Sequence, residues 1–219
     1  MRITRIENQQ RRPGRKNIYV DGQFLAGVSA ETLLRLGLRT GDEIGPEKVR
    51  EITRLEEYLR AKSAALRLLS VRPRTVSEIR SRLLEKELPG NDIDTVIAEL
   101  SASRLLDDQE FARTYIRDAL AHRPAGEALL RRKLLMLGVA RETADEAIRE
   151  TLGVVDARAE AARAAHSYLR RAKRAGGDAD ENRKLRARLV AFLGRRGFSW
   201  SVIEPVVREA LSSPEEDAQ

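Results

Sequence analysis

The sequence predicts a mainly α-helical protein in which three tandem three-helix repeats form an elongated curved rod, preceded by a small N-terminal β-hairpin module. Composition is the first indication, because only 4% of the residues are aromatic and 34% are charged, as in helices that pack through aliphatic side chains. The second is an apolar pattern around a glycine that recurs every 50 to 60 residues. Recurrence at such a period is typical of stacked helical repeats.

The recurring pattern consists of five apolar positions around a helix stop. With Gly138 as the origin, the same offsets can be applied to Gly197, 59 residues later, and to Glu87, 51 residues earlier. Any two amphipathic helices align loosely, but agreement at five offsets in three copies favours a true repeat. The positions are Leu130, Leu134, Val139, Ala144 and Ile148; Leu189, Leu193, Phe198, Ile203 and Val207; and Ile79, Leu83, Leu88, Ile93 and Ile97.

Residues 1–45 are a different kind of sequence, with short runs of β-branched and aromatic residues. Asp21 and Gly22 separate two of these runs and are a strong hairpin signal. Ser29 is the predicted N-cap of a short helix that ends at Gly37. We therefore expect a β-hairpin plus short helix, without catalytic residues.

Residues 46–103 are the predicted first repeat. Pro46 begins a long helix at a position where the missing N–H of proline costs nothing. Pro73 ends this helix, and Thr75 with Glu78 forms a predicted capping box for the next one. A Pro-Gly turn then leads into the third helix, which completes the repeat.

Residues 104–153 and 154–211 are the predicted second and third repeats. Asp107 is the expected N-cap of the helix that leads the second repeat. In the third repeat, a glycine-rich loop at 176–178 explains the wider spacing of the pattern. Residues 212–219 form an acidic polar tail that we expect to fray.

The chain is basic and lacks cysteine. Its formal net charge is +7, and residues 154–211 hold thirteen Lys and Arg against seven Asp and Glu, which favours a polyanionic or acidic partner. The absence of Cys excludes disulfides and thiolate metal sites. Without a signal peptide or a long apolar segment, we expect a cytoplasmic protein that does not contact membranes.

No catalytic, cofactor or metal site is predicted. His122 and His166 are 44 residues apart and lack the spacing of metal ligands. Asp107, Asp108 and Glu110 could be considered a metal-binding group. Helix capping and the helix dipole explain all three acids and are the favoured interpretation.

Eight basic residues are the candidate binding residues. In the predicted helix at 181–196, Lys184, Arg188 and Arg195 lie opposite the apolar face and form a predicted positive stripe. The alternative is that these side chains only solvate helix surfaces. As binding residues they would contact DNA phosphate or an acidic protein surface. The other five candidates are Arg131, Arg132, Lys133, Arg170 and Arg171.

The chain resembles the RecX family, small bacterial regulators of the RecA recombinase built from three-helix repeats. The residues that carry the resemblance are Arg104–Asp108 with Phe111-Ala112 and Tyr115-Ile116, and the Leu-x-x-x-Gly-Val string of 134–139, echoed at 193–198. One departure is Glu87, which with a Pro-Gly turn replaces the glycine stop of the first repeat. That difference makes the geometry of the first turn an open question.

The resemblance implies a non-enzymatic modulator that binds RecA and its single-stranded DNA filament and inhibits ATPase and strand exchange. We expect a monomer that binds free single-stranded DNA weakly. The alternative is a tandem helix-turn-helix DNA-binding protein, in transcription or DNA architecture. The last helix argues against it, because mostly apolar and acidic residues stand where base-reading side chains are needed, and Pro205 is expected to interrupt or bend it.

Overall fold

A computed structural model describes residues 1–10, 12, 14–153, 155–172 and 179–212. It confirms a mainly α-helical fold with three three-helix repeats after a small N-terminal sheet. Repeat 1 consists of α2–α4, repeat 2 of α5–α7 and repeat 3 of α8–α10. The elements are β1 (Ile3–Asn8), β2 (Arg15–Val20), β3 (Gln23–Ser29), α1 (Ala30–Leu36), α2 (Pro46–Leu69), α3 (Val76–Leu84), α4 (Gly90–Ala102), α5 (Asp108–His122), α6 (Glu127–Met136), α7 (Arg141–Leu152), α8 (Ala157–Arg171), α9 (Ala179–Arg195) and α10 (Trp200–Ser212).

The chain divides into two compact units. Unit 1 comprises Met1–Arg74 and Ile79–Leu106, and unit 2 comprises Thr75–Glu78 and Asp107–Gln219. The first turn of α3 therefore belongs to unit 2. The predicted loop at 176–178 and nearly all of the predicted tail lie outside the described residues. The five-segment division of the sequence stays a prediction.

The N-terminal sheet of unit 1 is an antiparallel meander in the order β1, β2, β3. Asp21 and Gly22 connect β2 to β3 with φ angles of 51° and 82°, as a two-residue type I′ turn requires. This confirms the predicted hairpin, to which β1 adds a third strand. The sheet packs against α2 in a shared core of Ile3, Ile18, Val20, Val28, Leu38, Ile44 and Ile52.

The three-fold apolar pattern is confirmed in the packing. All fifteen positions of the pattern are buried, and the most exposed retain only 7% of their surface. In repeat 2 the five positions belong to one core with Ala112 and Ile116 of α5. In repeat 3 they belong to a core with Ala161, Ala164 and Ala165 of α8. The leading helix of each of these two repeats thus closes the apolar face of the helix pair that follows it.

The turn inside each repeat has the same backbone conformation. Gly138 and Gly197 have φ angles of 83° and 85°, and Glu87 has a φ of 56°. All three residues therefore adopt the left-handed conformation that ends a helix. The departure from glycine in repeat 1 does not change the turn, but it places a side chain in a conformation that costs L-residues free energy.

Replacing Glu87 by glycine should stabilise the chain by about 0.5 to 1 kcal/mol, since the relief of backbone strain exceeds the added flexibility of the unfolded chain. Urea denaturation followed by circular dichroism measures the change. Glu85→Gly is the matched control, because Glu85 does not have a positive φ, and we expect it to be neutral or destabilising. A Glu87→Gly variant that is no more stable than the wild-type chain would contradict the inferred backbone strain at Glu87.

The predicted helix caps are present in the structure. The capping oxygens accept hydrogen bonds from the backbone N–H groups three residues later, at 2.9 to 3.1 Å. These bonds satisfy donors that the first turn of a helix leaves without partners. The pairs are Ser29 with Thr32, Thr75 with Glu78, and Asp107 with Glu110.

Pro205 lies inside α10, and the helix continues on both sides of it. Of the two predicted effects, the interruption is therefore wrong, and the bend stays a prediction. Proline removes one backbone donor, while the neighbouring Ile203, Val206 and Val207 are buried in the core of repeat 3. Burial of these three side chains outweighs the loss of one hydrogen bond.

Candidate interaction surfaces

The predicted positive stripe lies on the exposed face of α9. Leu189 and Leu193 on the same helix are fully buried, whereas Lys184, Arg188 and Arg195 are exposed. Lys184 forms an ion pair with Asp180 at 2.7 Å. Among the described residues, Arg188 and Arg195 have no carboxylate partner. Two guanidinium groups of the stripe are therefore available to an external anion.

The last turn of α8 carries two further candidates, Arg170 and Arg171. Both side chains are exposed and lack a carboxylate partner within the described part of the chain. Tyr168 on the same helix stacks on Phe192 of α9, with ring centroids 4.8 Å apart. This aromatic contact joins α8 to α9, so the arginines of both helices belong to one packed repeat.

The three candidates on α6 have different environments. Arg131 is partly buried and donates hydrogen bonds to Asp145 and Glu127. The bond to Asp145, followed by that to Glu127, raises the pKa of the Arg131 guanidinium above its usual value. Arg132 and Lys133 are exposed, and no described carboxylate pairs with them. Arg131 thus stabilises repeat 2, and only its two neighbours can attract an external ligand.

A shallow groove of about 440 Å³ lies beside these residues. Its walls are Ala128, Arg131, Arg132, Leu135 and Met136. Met136 is unusually exposed for a large apolar side chain, with 80% of its surface accessible. The groove therefore combines an apolar contact with the free charge of Arg132.

The sequence reasoning missed two exposed arginines on α9. Arg183 and Arg186 are exposed and have no carboxylate partner among the described residues. A search for one basic face left them out, because they do not share the helical spacing of Lys184, Arg188 and Arg195. A count of every Lys and Arg in the predicted helix would have included them.

The acidic group at the start of α5 supports the fold. Asp107 caps its own helix, while Asp108 accepts a hydrogen bond of 2.9 Å from the backbone N–H of Val76, at the start of α3. Partial burial raises the pKa of the Asp108 carboxyl, and the bond from Val76 opposes that shift. Glu110 pairs with Arg113 and Arg117. Each acid has a partner, and the described residues contain no group of three or more His, Asp or Glu suited to a metal ion.

The charged side chains of the last helix, α10, form ion pairs within repeat 3. Its one arginine, Arg208, pairs with Glu204 at 3.8 Å, and Glu209 pairs with Arg158. The charges on this helix are therefore balanced within repeat 3.

None of the described helices is long and apolar enough to cross a membrane.

The fold and the surfaces together define a class: a tandem helical-repeat protein whose distinctive groups are unpaired cations on outer helix faces. Four family models match the chain in order. They are the regulatory protein RecX N-terminal domain over residues 1–45 and the first, second and third three-helix domains of RecX over residues 61–100, 107–148 and 157–207. The chain belongs to the RecX family.

Relatives and solved structures agree with this assignment. The regulatory protein RecX of Clostridium beijerinckii is 26% identical over 99% of both chains, and that of Clostridium acetobutylicum is 29% identical over 96% of both. A crystal structure of regulatory protein RecX aligns with a TM-score of 0.74 at 27% identity, covering 94% of this chain and 98% of that one. RecX from Lactobacillus salivarius shares the fold, with a TM-score of 0.62 at 19% identity over 71% of this chain and 97% of that one.

Proposed function

We propose that this chain is a non-enzymatic modulator of the RecA recombinase that binds RecA and its single-stranded DNA filament and inhibits ATPase and strand exchange. Membership of a family of regulatory proteins supports the choice of partner. The observation that carries the mode of binding is a set of exposed cations on three helices that have no carboxylate partner among the described residues: Arg132, Lys133, Arg170, Arg171, Arg183, Arg186, Arg188 and Arg195.

A repeated ligand suits these dispersed charges. Each exposed cation contributes little by itself. Several weak contacts on one chain reinforce each other, because the first contact raises the effective concentration of the others. A filament presents the same protein surface and the same phosphates many times. Binding to the filament is therefore expected to be much tighter than binding to either component alone.

Binding to free single-stranded DNA should be weak. If about five phosphates were neutralised, the logarithm of the affinity would fall with the logarithm of salt concentration with a slope of roughly −3.5. Raising salt from about 50 to 200 mM would then weaken binding on the order of a hundredfold. Few aromatic side chains are available to stack on bases and compensate.

The decisive experiment measures ATP hydrolysis by RecA on single-stranded DNA. We expect the wild-type chain to inhibit at substoichiometric or near-stoichiometric amounts. The triple variant Arg170→Glu, Arg188→Glu, Arg195→Glu should need at least roughly tenfold more protein for the same inhibition, because three attractive contacts become repulsive.

A matched control reverses three exposed arginines of unit 1 that also lack carboxylate partners among the described residues: Arg39, Arg54 and Arg104. It changes the net charge by the same amount and should inhibit like the wild type. If the wild-type chain left both ATPase and filament length unchanged, the proposed function would be rejected. Equal inhibition by the two triple variants would reject the proposed contact residues.

A monomeric state and a cytoplasmic location stay predictions of the sequence.

A further inference from the structure

Unit 1 contains a basic cleft that the proposed function does not use. The cleft has a volume of about 830 Å³ and lies between Arg12 and Gly14, the middle of α2, and the turn between α3 and α4. Four exposed cations line it, and no described carboxylate pairs with any of them. These are Arg12, Arg60, Arg67 and Lys86.

The acids of the cleft do not neutralise these cations. Glu56 is buried and accepts hydrogen bonds of 2.7 Å from Arg15, Ser29 and Thr32. Glu31 pairs with Arg35 of the same helix at 2.6 Å. Both carboxylates are therefore already occupied, and the cleft keeps an excess of positive charge.

The repeat pattern shows that the turn beside this cleft differs from its counterparts. In repeat 2, the Leu137 carbonyl of the turn accepts a hydrogen bond of 2.7 Å from the Thr75 hydroxyl. In repeat 3, the equivalent Arg196 carbonyl accepts one of 2.8 Å from the Gly126 N–H. Each of these turns thus receives the start of a helix from the preceding repeat.

The equivalent carbonyl in repeat 1 belongs to Lys86. No donor from the described residues reaches it, and Lys86 and Leu88 instead line the cleft. The N-terminal sheet and α1 come directly before repeat 1, and the cleft lies where the later repeats place the start of a helix. This position coincides with the four unpaired cations.

We propose that this cleft binds the phosphodiester backbone of a single-stranded nucleic acid, at a site separate from the cations of α6, α8 and α9. Three of the four cations are arginines, whose guanidinium groups bind phosphate oxygens in pairs. The lining contains no aromatic side chain and only Leu59, Ala64 and Leu88 as apolar residues. A protein segment would need a large apolar anchor at the centre of its contact, whereas a phosphate backbone binds through charge alone.

The choice of a single strand rests on the proposed function, in which the chain binds a filament formed on single-stranded DNA. Without stacking side chains, the site should not distinguish base sequence.

Fluorescence anisotropy with a labelled oligothymidine tests the site in the full chain. The variant Arg60→Gln, Arg67→Gln, Lys86→Gln removes three cleft cations, and Arg39→Gln, Arg54→Gln, Arg104→Gln is the control with the same net charge. Loss of three phosphate contacts should reduce the salt slope of the affinity by about 2 and weaken binding on the order of a hundredfold at about 0.1 M salt. The control should keep the wild-type slope, and circular dichroism verifies that both variants fold.

Equal affinity and equal salt slope for the two triple variants would overturn the proposal. So would a cleft variant that keeps DNA affinity and loses affinity for purified recombinase without DNA, since the cleft would then serve an acidic protein surface. The proposed function is decided separately, by the effect of the wild-type chain on RecA ATPase and filament length. Either proposal can therefore fail in its own assay while the other is still supported or rejected by the second assay.

Discussion

Replacing Glu56 by leucine should destabilise the chain by about 3 to 5 kcal/mol, the largest effect expected from one side chain. Glu56 lies on α2 and retains only 8% of its surface. Its carboxylate accepts hydrogen bonds from the Arg15 guanidinium, the Ser29 backbone N–H and the Thr32 hydroxyl, each at 2.7 Å. Leucine fills the space but removes the carboxylate from a partly buried cation and the acceptor from the Ser29 N–H. Arg15 would keep its bond to the Gly27 carbonyl, and Thr32 would keep its bond to the Ser29 hydroxyl.

Urea denaturation of the full chain measures this loss. Glu51→Leu is the matched control, because the same substitution on α2 removes only an exposed ion pair with Lys48. The control should change stability by less than about 0.5 kcal/mol. Amide hydrogen exchange should localise the loss caused by Glu56→Leu to the N-terminal sheet and α1. A Glu56→Leu variant as stable as the control would show that the three hydrogen bonds contribute no net stability.

The Glu56 contacts show what the sequence could not reveal about the N-terminal module. Turn and cap signals are local, so the hairpin at Asp21 and Gly22 and the cap at Ser29 could be predicted. The bond from Arg15 to Glu56 joins residues 41 positions apart, and no local pattern marks such a pair. A glutamate in a long helix is ordinarily exposed, and its burial became visible only when the sheet was placed on α2.

The repeats were more predictable because their signal is periodic. Burial at five fixed offsets follows from helix geometry and a left-handed stop, and these constraints act within each repeat. The candidate binding residues were less predictable. Helical spacing places Glu127 four residues before Arg131 on α6, but it could not show that Asp145 of α7 also engages Arg131, or that no described carboxylate engages Arg132. Partners from another helix decide which cation is available.

The same limit applies to Asp108. Its place at the start of α5 suggested an interaction with its own helix dipole. The structure shows that it also caps α3 through the Val76 N–H, so the carboxylate joins the start of one helix to the start of another. A resemblance to a family identified the surrounding string of residues without explaining this contact.

The junction between repeats 2 and 3 carries the second large prediction: Gly197→Ala should destabilise the chain by about 2 to 4 kcal/mol. A Cβ on Gly197 would lie closer than 3 Å to three atoms of Leu129, and the residue has a φ of 85°. The cost combines a strained left-handed backbone with steric overlap against a main chain that cannot move aside. Thermal and urea denaturation measure the change.

Gly194→Ala is a sharp control for that substitution. Gly194 lies in α9 only three residues away, and a Cβ there would meet nothing within 4 Å. Alanine should stabilise the helix by about 0.5 to 1 kcal/mol. Opposite signs for the two substitutions would identify the close approach, rather than general sensitivity of the segment, as the cause. Equal small effects would contradict the packing of this junction.

Gly126 lies on the other side of this contact, so a substitution there tests the same packing independently. A Cβ on Gly126 would lie closer than 3 Å to backbone atoms of Gly197 and Phe198, so Gly126→Ala should destabilise the chain to a similar extent. The Gly126 and Ala128 N–H groups donate to the Arg196 and Gly197 carbonyls at 2.8 and 3.2 Å. Because both glycines permit one backbone contact, the double variant should cost less than the sum of the single variants. An additive double variant would mean that the two glycines act through separate contacts.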